Sequence, residues 1–132
     1  MNDSGDRTAG DPQPTLLLVT ADLFLGSRLQ GFAERAGYRV VMGRSTESAR
    51  DILAEPAGRA VIDLAAPQID LEQLVESVPA AIDRIAAYAP HVRLDLLKAA
   101  RAAGLAAVFT RGQLDSELPR WLRADFGGPT TV

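Results

Sequence analysis

Apolar residues fall in short runs that alternate with stretches of helical spacing. Residues 15–20, Thr15-Leu-Leu-Leu-Val-Thr20, form a nearly continuous apolar run, the pattern of a parallel strand buried on both faces. Over 22–36 the apolar positions Leu23, Leu25, Leu29, Phe32, Ala33 and Ala36 are spaced for an amphipathic helix. Asp22 stands where a carboxylate caps free amides, and Gly37 where a helix commonly stops. Residues 38–42 read as a second strand, and 45–55 as a helix ending before Pro56. A third strand is expected at 59–64 and a helix at 71–78, stopped by Pro79. A fourth strand at 82–88 is interrupted by Asp83 and Arg84. The pattern over 92–103 predicts a helix with Leu94, Leu97, Ala100 and Ala103 on one face and Gly104 closing it. A fifth strand follows at 105–110 and a last helix at 114–122. Pro119 inside that helix predicts a kink or a shifted boundary.

Strands that alternate with helices across short links imply a parallel sheet covered on both faces. Right-handed crossovers leave few orders for such a sheet. The reading is therefore an α/β, doubly wound (βα)5 fold, flavodoxin-like, with five parallel strands ordered 2-1-3-4-5. Residues 15–123 form its body. The polar stretch 1–14 reads as a disordered leader and 124–132 as a flexible tail.

Composition narrows the chemistry. The chain has 132 residues, 47% hydrophobic and 23% charged, which suits one globular domain. It contains no cysteine, so disulfides, zinc–thiolate sites and a thiol nucleophile are excluded. The single histidine, His91, excludes a multi-histidine metal site and reads as a cap or surface group. The net charge of −3 argues against a nucleic-acid partner. No run is long and apolar enough to predict a membrane span, and the acidic N-terminus lacks the basic start of a secretory signal. A cytoplasmic location is the expectation. Gly37, Gly58 and Gly104 read as turn glycines, and no GxGxxG or P-loop pattern occurs.

In open α/β sheets, chemistry collects outside the carboxyl ends of the strands near the switch point between strands 1 and 3. Those ends carry Thr20-Ala21-Asp22, Asp63-Leu-Ala-Ala-Pro67, Tyr88-Ala-Pro-His91 and Thr110-Arg-Gly112. Asp63 stands out as a carboxylate inside an apolar strand. It reads either as a strand-end aspartate bonded to the next turn or as a carboxylate placed for phosphate or metal chemistry. Arg111 is the candidate counter-charge.

Several matches at these ends occur together. Pro67 lies four residues after Asp63, Gly104 closes the helix that starts near His91, and Arg111 lies seven residues after Gly104. With them the body resembles the receiver domain of bacterial response regulators over essentially its whole length. The resemblance puts Asp63 at the phosphoacceptor position and Arg111 at that of the strand-5 lysine. It also marks departures. The acidic pair that holds Mg2+ in receivers aligns with Thr20 and Ala21, while Asp22 lies one place later as a helix cap. The strand-4 hydroxyl aligns with Ala89, the switch aromatic with Val108, and the proline after the lysine with Gly112. Mg2+ wants carboxylate oxygens in near-octahedral geometry, so its binding is expected to be weak, and no other cofactor is expected.

The resemblance with these departures implies a pseudo-receiver. Such a chain is a non-enzymatic signalling module in a two-component (phosphorelay) pathway. It acts by protein–protein contact with a histidine kinase, another signalling protein or a second copy, with little or no phosphorylation. A fixed Asp63–Arg111 ion pair is expected in place of a switch. Two alternatives stand beside it: a working phospho-receiver taking phosphate on Asp63 with Mg2+ held partly by Asp22, and a flavodoxin-like small-ligand binder stacking its ligand on Tyr88. The expected working surface draws on 91–103, 105–110 and 113–122, with Leu96 exposed between Arg93, Lys98 and Arg101, while Trp121 and Leu122 pack the last helix onto the sheet.

Overall fold

A computed structural model describes residues 13–66 and 69–124. Five strands, β1 (Thr15–Val19), β2 (Arg39–Met42), β3 (Arg59–Asp63), β4 (Ile85–Ala89) and β5 (Ala107–Thr110), alternate with five helices. The helices are α1 (Leu23–Arg35), α2 (Thr46–Leu53), α3 (Leu71–Ser77), α4 (Leu94–Ala102) and α5 (Leu114–Arg123). All strand pairs are parallel and the order is β2-β1-β3-β4-β5, as the alternation predicts. Pro67, and the leader and tail readings apart from residues 13, 14 and 124, lie outside the described residues.

Strand side chains alternate between two cores. Leu17, Val19, Ile62, Ala87 and Ala89 join α2, α3 and α4 through Ala49, Leu53, Leu74, Leu97 and Ala100. Leu16, Leu18, Val61, Ala86 and Tyr88 join α1 and α5 through Leu25, Leu29, Ala33, Leu118 and Trp121. Strands buried on both faces explain why their sequences read as continuous apolar runs rather than alternating ones.

The helix ends follow the cap chemistry. The Leu25 amide donates to Asp22 Oδ1 at 3.0 Å, and the Ser48 amide to Ser45 Oγ at 3.0 Å. The chain leaves α1 through Gly37 and α4 through Gly104, at φ of +96° and +106°. Both lie in the left-handed region that glycine reaches without strain.

Two boundaries differ from the sequence reading. Residues Pro79–Arg84 form a 3-10 helix, so β4 begins at Ile85 instead of residue 82. Pro79 presets the first turn, and the Arg84 guanidinium donates to the carbonyls of Glu55 and Gly58 at 3.0 and 2.6 Å. This ties the segment to the end of α2 and keeps Asp83 and Arg84 off the sheet. Strand β5 is also shorter, beginning at Ala107. Pro119 lies within α5, which runs on to Arg123.

A candidate site at the carboxyl ends of the strands

Ala21, Asp22, Asp63, Ala65, Pro90 and Arg111 line a hollow of about 220 Å3 at the carboxyl end of the sheet. Asp63 ends β3 and is buried, at 7% exposure. Its Oδ1 accepts the Ala65 amide at 2.9 Å and its Oδ2 accepts the Ala21 amide at 3.4 Å. The turns after β3 and β1 therefore hold this carboxylate with backbone donors. A carboxylate bound to the turn that follows its strand is one of the two readings its sequence position allows.

The expected ion pair forms with a different partner. Arg111 Nη2 bridges Asp22 Oδ2, not Asp63. Two features of Asp22 decide this. Its cap to Leu25 fixes one oxygen and leaves the other at the rim, and Arg111 sits just after β5 on the opposite rim. The Leu25 amide first and the Arg111 guanidinium second hold the Asp22 carboxyl below its ordinary value of 3.8. The bond between Arg111 and Gly112 is trans. Residues Arg111–Gln113 form a 3-10 turn, in which the Gln113 side chain accepts from the Thr110 amide at 2.9 Å.

Thr20 enters the site through a residue that sequence reasoning assigned elsewhere. Tyr88 pairs with Asp63 in the β3–β4 register, and its hydroxyl donates to Thr20 Oγ1 at 2.8 Å. The same oxygen accepts the Asp22 amide at 3.1 Å. Tyr88 is 1% exposed, and burial pushes its phenol up to about 12. A ring so enclosed offers no face to a ligand, which removes the stacking surface that a flavin reading needs. Ala89 points into the opposite core and does not line the hollow. Pro90, directly after β4, lines the hollow instead, and Tyr88 reaches the site through its hydroxyl on Thr20. Val108 is likewise buried in the opposite core, and the aromatic on the α5 face of β5 is Phe109.

The expected interface residues on α4 are rearranged. Leu96 is half-buried against the core and shares a groove with Ile62 and Asp63, while Leu94, expected to face the sheet, is exposed. Residues 90–93 form a turn closed by the Arg93 amide on the Pro90 carbonyl, so α4 starts at Leu94 and not at Val92. Leu94 then occupies the overhanging first turn, and Leu97 and Ala100 fill the core. Arg93 is paired to Asp95 at 3.0 Å, and Arg101 and His91 are exposed.

Leu23, which helical spacing puts on the apolar face, is exposed instead, and so is Phe24, which the sequence reading does not single out. They are 80% and 92% exposed at the start of α1, directly after Asp22. Three apolar residues in a row cannot all face one side of a helix. The series Leu25, Leu29, Ala33 at i, i+4 and i+8 takes the core, which is the signal that Leu23 lies outside it.

No protein-family model and no curated protein matches the sequence. Solved structures do match it in fold. The non-phosphorylated HemR receiver domain from Leptospira biflexa superposes with a TM-score of 0.66 at 21% identity, covering 90% of this chain and 100% of that one. A putative response regulator from Chloroflexus aurantiacus J-10-fl gives 0.65 at 22% identity, with 86% and 100% covered. The receiver domain of sensor histidine kinase PA1611 from Pseudomonas aeruginosa PAO1, with a magnesium ion coordinated in its active-site cleft, gives 0.64 at 16% identity, with 86% and 100% covered. The sheet order, the alternating helices and these superpositions together give the chain the flavodoxin-like fold of response-regulator receiver domains.

Proposed function

We propose that the chain is a receiver-fold module of two-component signalling that works by binding another protein, with its acceptor site held in one state. The observation that carries this reading is the Arg111–Asp22 bridge across the hollow beside Asp63. A receiver of the kind that coordinates magnesium gathers carboxylates at this point. Here two carboxylates line the hollow, and both are committed: Asp22 to a helix cap and a guanidinium, Asp63 to two backbone amides. Among the described residues no three acidic or histidine side chains cluster as metal ligands. This donor set does not fit a divalent cation that wants several oxygens in octahedral geometry. Without the cation, phosphoryl transfer lacks its charge neutraliser.

The partner classes that fit are a histidine kinase or another signalling protein. No helix among the described residues is long and apolar enough to cross a membrane. The test is intact-mass spectrometry after incubation with acetyl phosphate and Mg2+. The expected result is an unmodified chain. A phosphoryl adduct that disappears in Asp63→Asn overturns the reading and makes the chain a working phospho-receiver.

A further inference from the structure

Asp63 is the one buried carboxylate among the described residues, and it takes part in no ion pair there. Arg111, the guanidinium of the same hollow, is turned to Asp22. A carboxylate removed from water without a cation is costly, and its free acceptor positions call for further donors. Their number says which donor fits. An ionised carboxylate has about four acceptor positions, shared equally by its oxygens. Oδ1 gives one to the Ala65 amide and Oδ2 one to the Ala21 amide. One position stays open on each oxygen. That falls short of the shell an octahedral cation needs. It matches the paired N–H donors of a guanidinium, which bonds both oxygens of a carboxylate at once.

Charge and room agree with that donor. Two carboxylates and one guanidinium line the hollow, a surplus of one negative charge that one arginine cancels. Arg111 is already neutralised by Asp22, so it opposes an incoming cation less than a free guanidinium would. Ala21, Ala65 and Pro90 complete the walls with small apolar side chains and no competing charge. The hollow's volume of about 220 Å3 exceeds that of a cavity of about 150 Å3 that takes up a benzene ring, a larger plane than a guanidinium. Around the mouth, Leu23 and Phe24 follow Asp22, and Val92 and Leu94 follow Pro90, all four exposed. A segment that brings a cation to Asp63 therefore meets apolar side chains on both sides of it.

We propose that the hollow is a socket for an arginine side chain of the protein partner. Its guanidinium bonds both oxygens of Asp63, while apolar neighbours of that arginine cover Phe24 and Leu94. This names the partner's chemistry at the acceptor site, and it rests on the reading that the site takes neither Mg2+ nor phosphate.

The amides of Ala21 and Ala65 donate to Asp63 and report on the socket in heteronuclear NMR spectra of the full chain. Acetyl-arginine amide, its neutral isostere acetyl-citrulline amide, a capped leucyl-arginyl-leucine tripeptide and MgCl2 are to be titrated separately. Both amides should shift saturably with the arginine compound and stay in place with the citrulline compound. The tripeptide should bind severalfold more tightly, and Phe24→Ser should remove that gain. Asp63→Asn keeps a side-chain acceptor for the Ala65 amide and should weaken binding about tenfold or more, the scale of one charged hydrogen-bonded contact. Equal shifts with arginine and citrulline, or arginine shifts that survive Asp63→Asn, overturn the proposal. So does a tripeptide that binds no better than the arginine amide, because the socket then takes a free guanidinium compound. Shifts that appear on concentrating the free chain overturn it too, because a second copy then supplies the arginine. No shift with any arginine probe and none with Mg2+ overturns this proposal alone. A saturable shift with Mg2+ overturns the acceptor-site reading along with it.

Discussion

Thr20 Oγ1 accepts two hydrogen bonds, from the Asp22 amide and from the buried Tyr88 hydroxyl. Removing either partner has unequal consequences. Tyr88→Phe deletes one donor and leaves Thr20 still bonded to Asp22, a loss of about 1 kcal/mol. Thr20→Val strands the enclosed Tyr88 hydroxyl as well as an amide, and its cost is expected to be larger, about 1–3 kcal/mol. Urea melts of the two variants check the order; the reverse order would mean that Thr20 does not serve the Tyr88 hydroxyl. The same burial makes an alkaline signature. Tyr88 is raised to about 12 and Tyr38 is raised in the same direction, each mainly by burial. The folded state thus favours the neutral phenol, so this contribution is complete below pH 10 and is lost as pH rises toward 12. For Tyr88, pushed up to about 12, it amounts to roughly 2–3 kcal/mol. Absorbance titration at pH 10 should show less tyrosinate in the folded protein than in denaturant, where each of the two phenols is about half ionised. At this scale the sequence is legible only where chemistry is local. Asp22 capping α1 and Asp63 bonding the turn after β3 need two or three residues. The Tyr88–Thr20 bond spans 68 positions, and Arg111's choice between two carboxylates depends on how their backbones are held.

Helix α5 shows what an element owes to a residue outside it. Its final carbonyls, at Trp121 and Leu122, and the Ala124 carbonyl beyond them receive the Arg59 guanidinium from the far end of β3. The guanidinium also lies 5.1 Å from the Trp121 ring centre and 5.4 Å from that of Tyr38. A cation there answers the negative end of the helix dipole as well as the unpaired carbonyls. Arg59→Met keeps most of the apolar stem but strips these bonds, and an expected loss of about 2–3 kcal/mol follows from charged hydrogen bonds in a buried setting. Thermal melts by circular dichroism check it; an unchanged midpoint would mean that α5 holds its end without Arg59. All ten strands and helices were legible, because burial on both faces writes strands as apolar runs and because caps mark helix starts. The boundary misplaced by three residues is the start of β4. There a 3-10 helix, held by Arg84 to distant carbonyls, carries apolar residues that read as strand. The stripe on α4 was misassigned because the start of the helix, set by the turn after Pro90, decides which leucine overhangs the sheet.

At the scale of the molecule, the exposed large apolar side chains of the described residues gather where strands end. Leu23 and Phe24 lead into α1, and Val92 and Leu94 lead into α4, with exposures of 80%, 92%, 71% and 58%. Both pairs follow strands, β1 and β4, whose ends contribute Ala21, Asp22 and Pro90 to the hollow that holds Asp63 and Arg111. An apolar rim around a charged centre is the form of a transient protein interface. This arrangement moves the expected working surface from Leu96, which the core half-covers, to the start of α1. Phe24 contributes nothing to the core, so Phe24→Ser should leave the melting midpoint within the small range of surface substitutions. Leu25→Ser, one residue on and 6% exposed, should unfold the chain or nearly so. If Phe24 is an anchor for a signalling partner, its loss removes about 2 kcal/mol of binding, roughly a 30-fold weakening. Calorimetric titration of wild type and Phe24→Ser against the histidine kinases of the host measures this. A partner that binds both chains equally would place the working surface away from α1. A partner that loses affinity for Phe24→Ser yet keeps it for Asp63→Asn would show that recognition runs through the rim and not through the carboxylate.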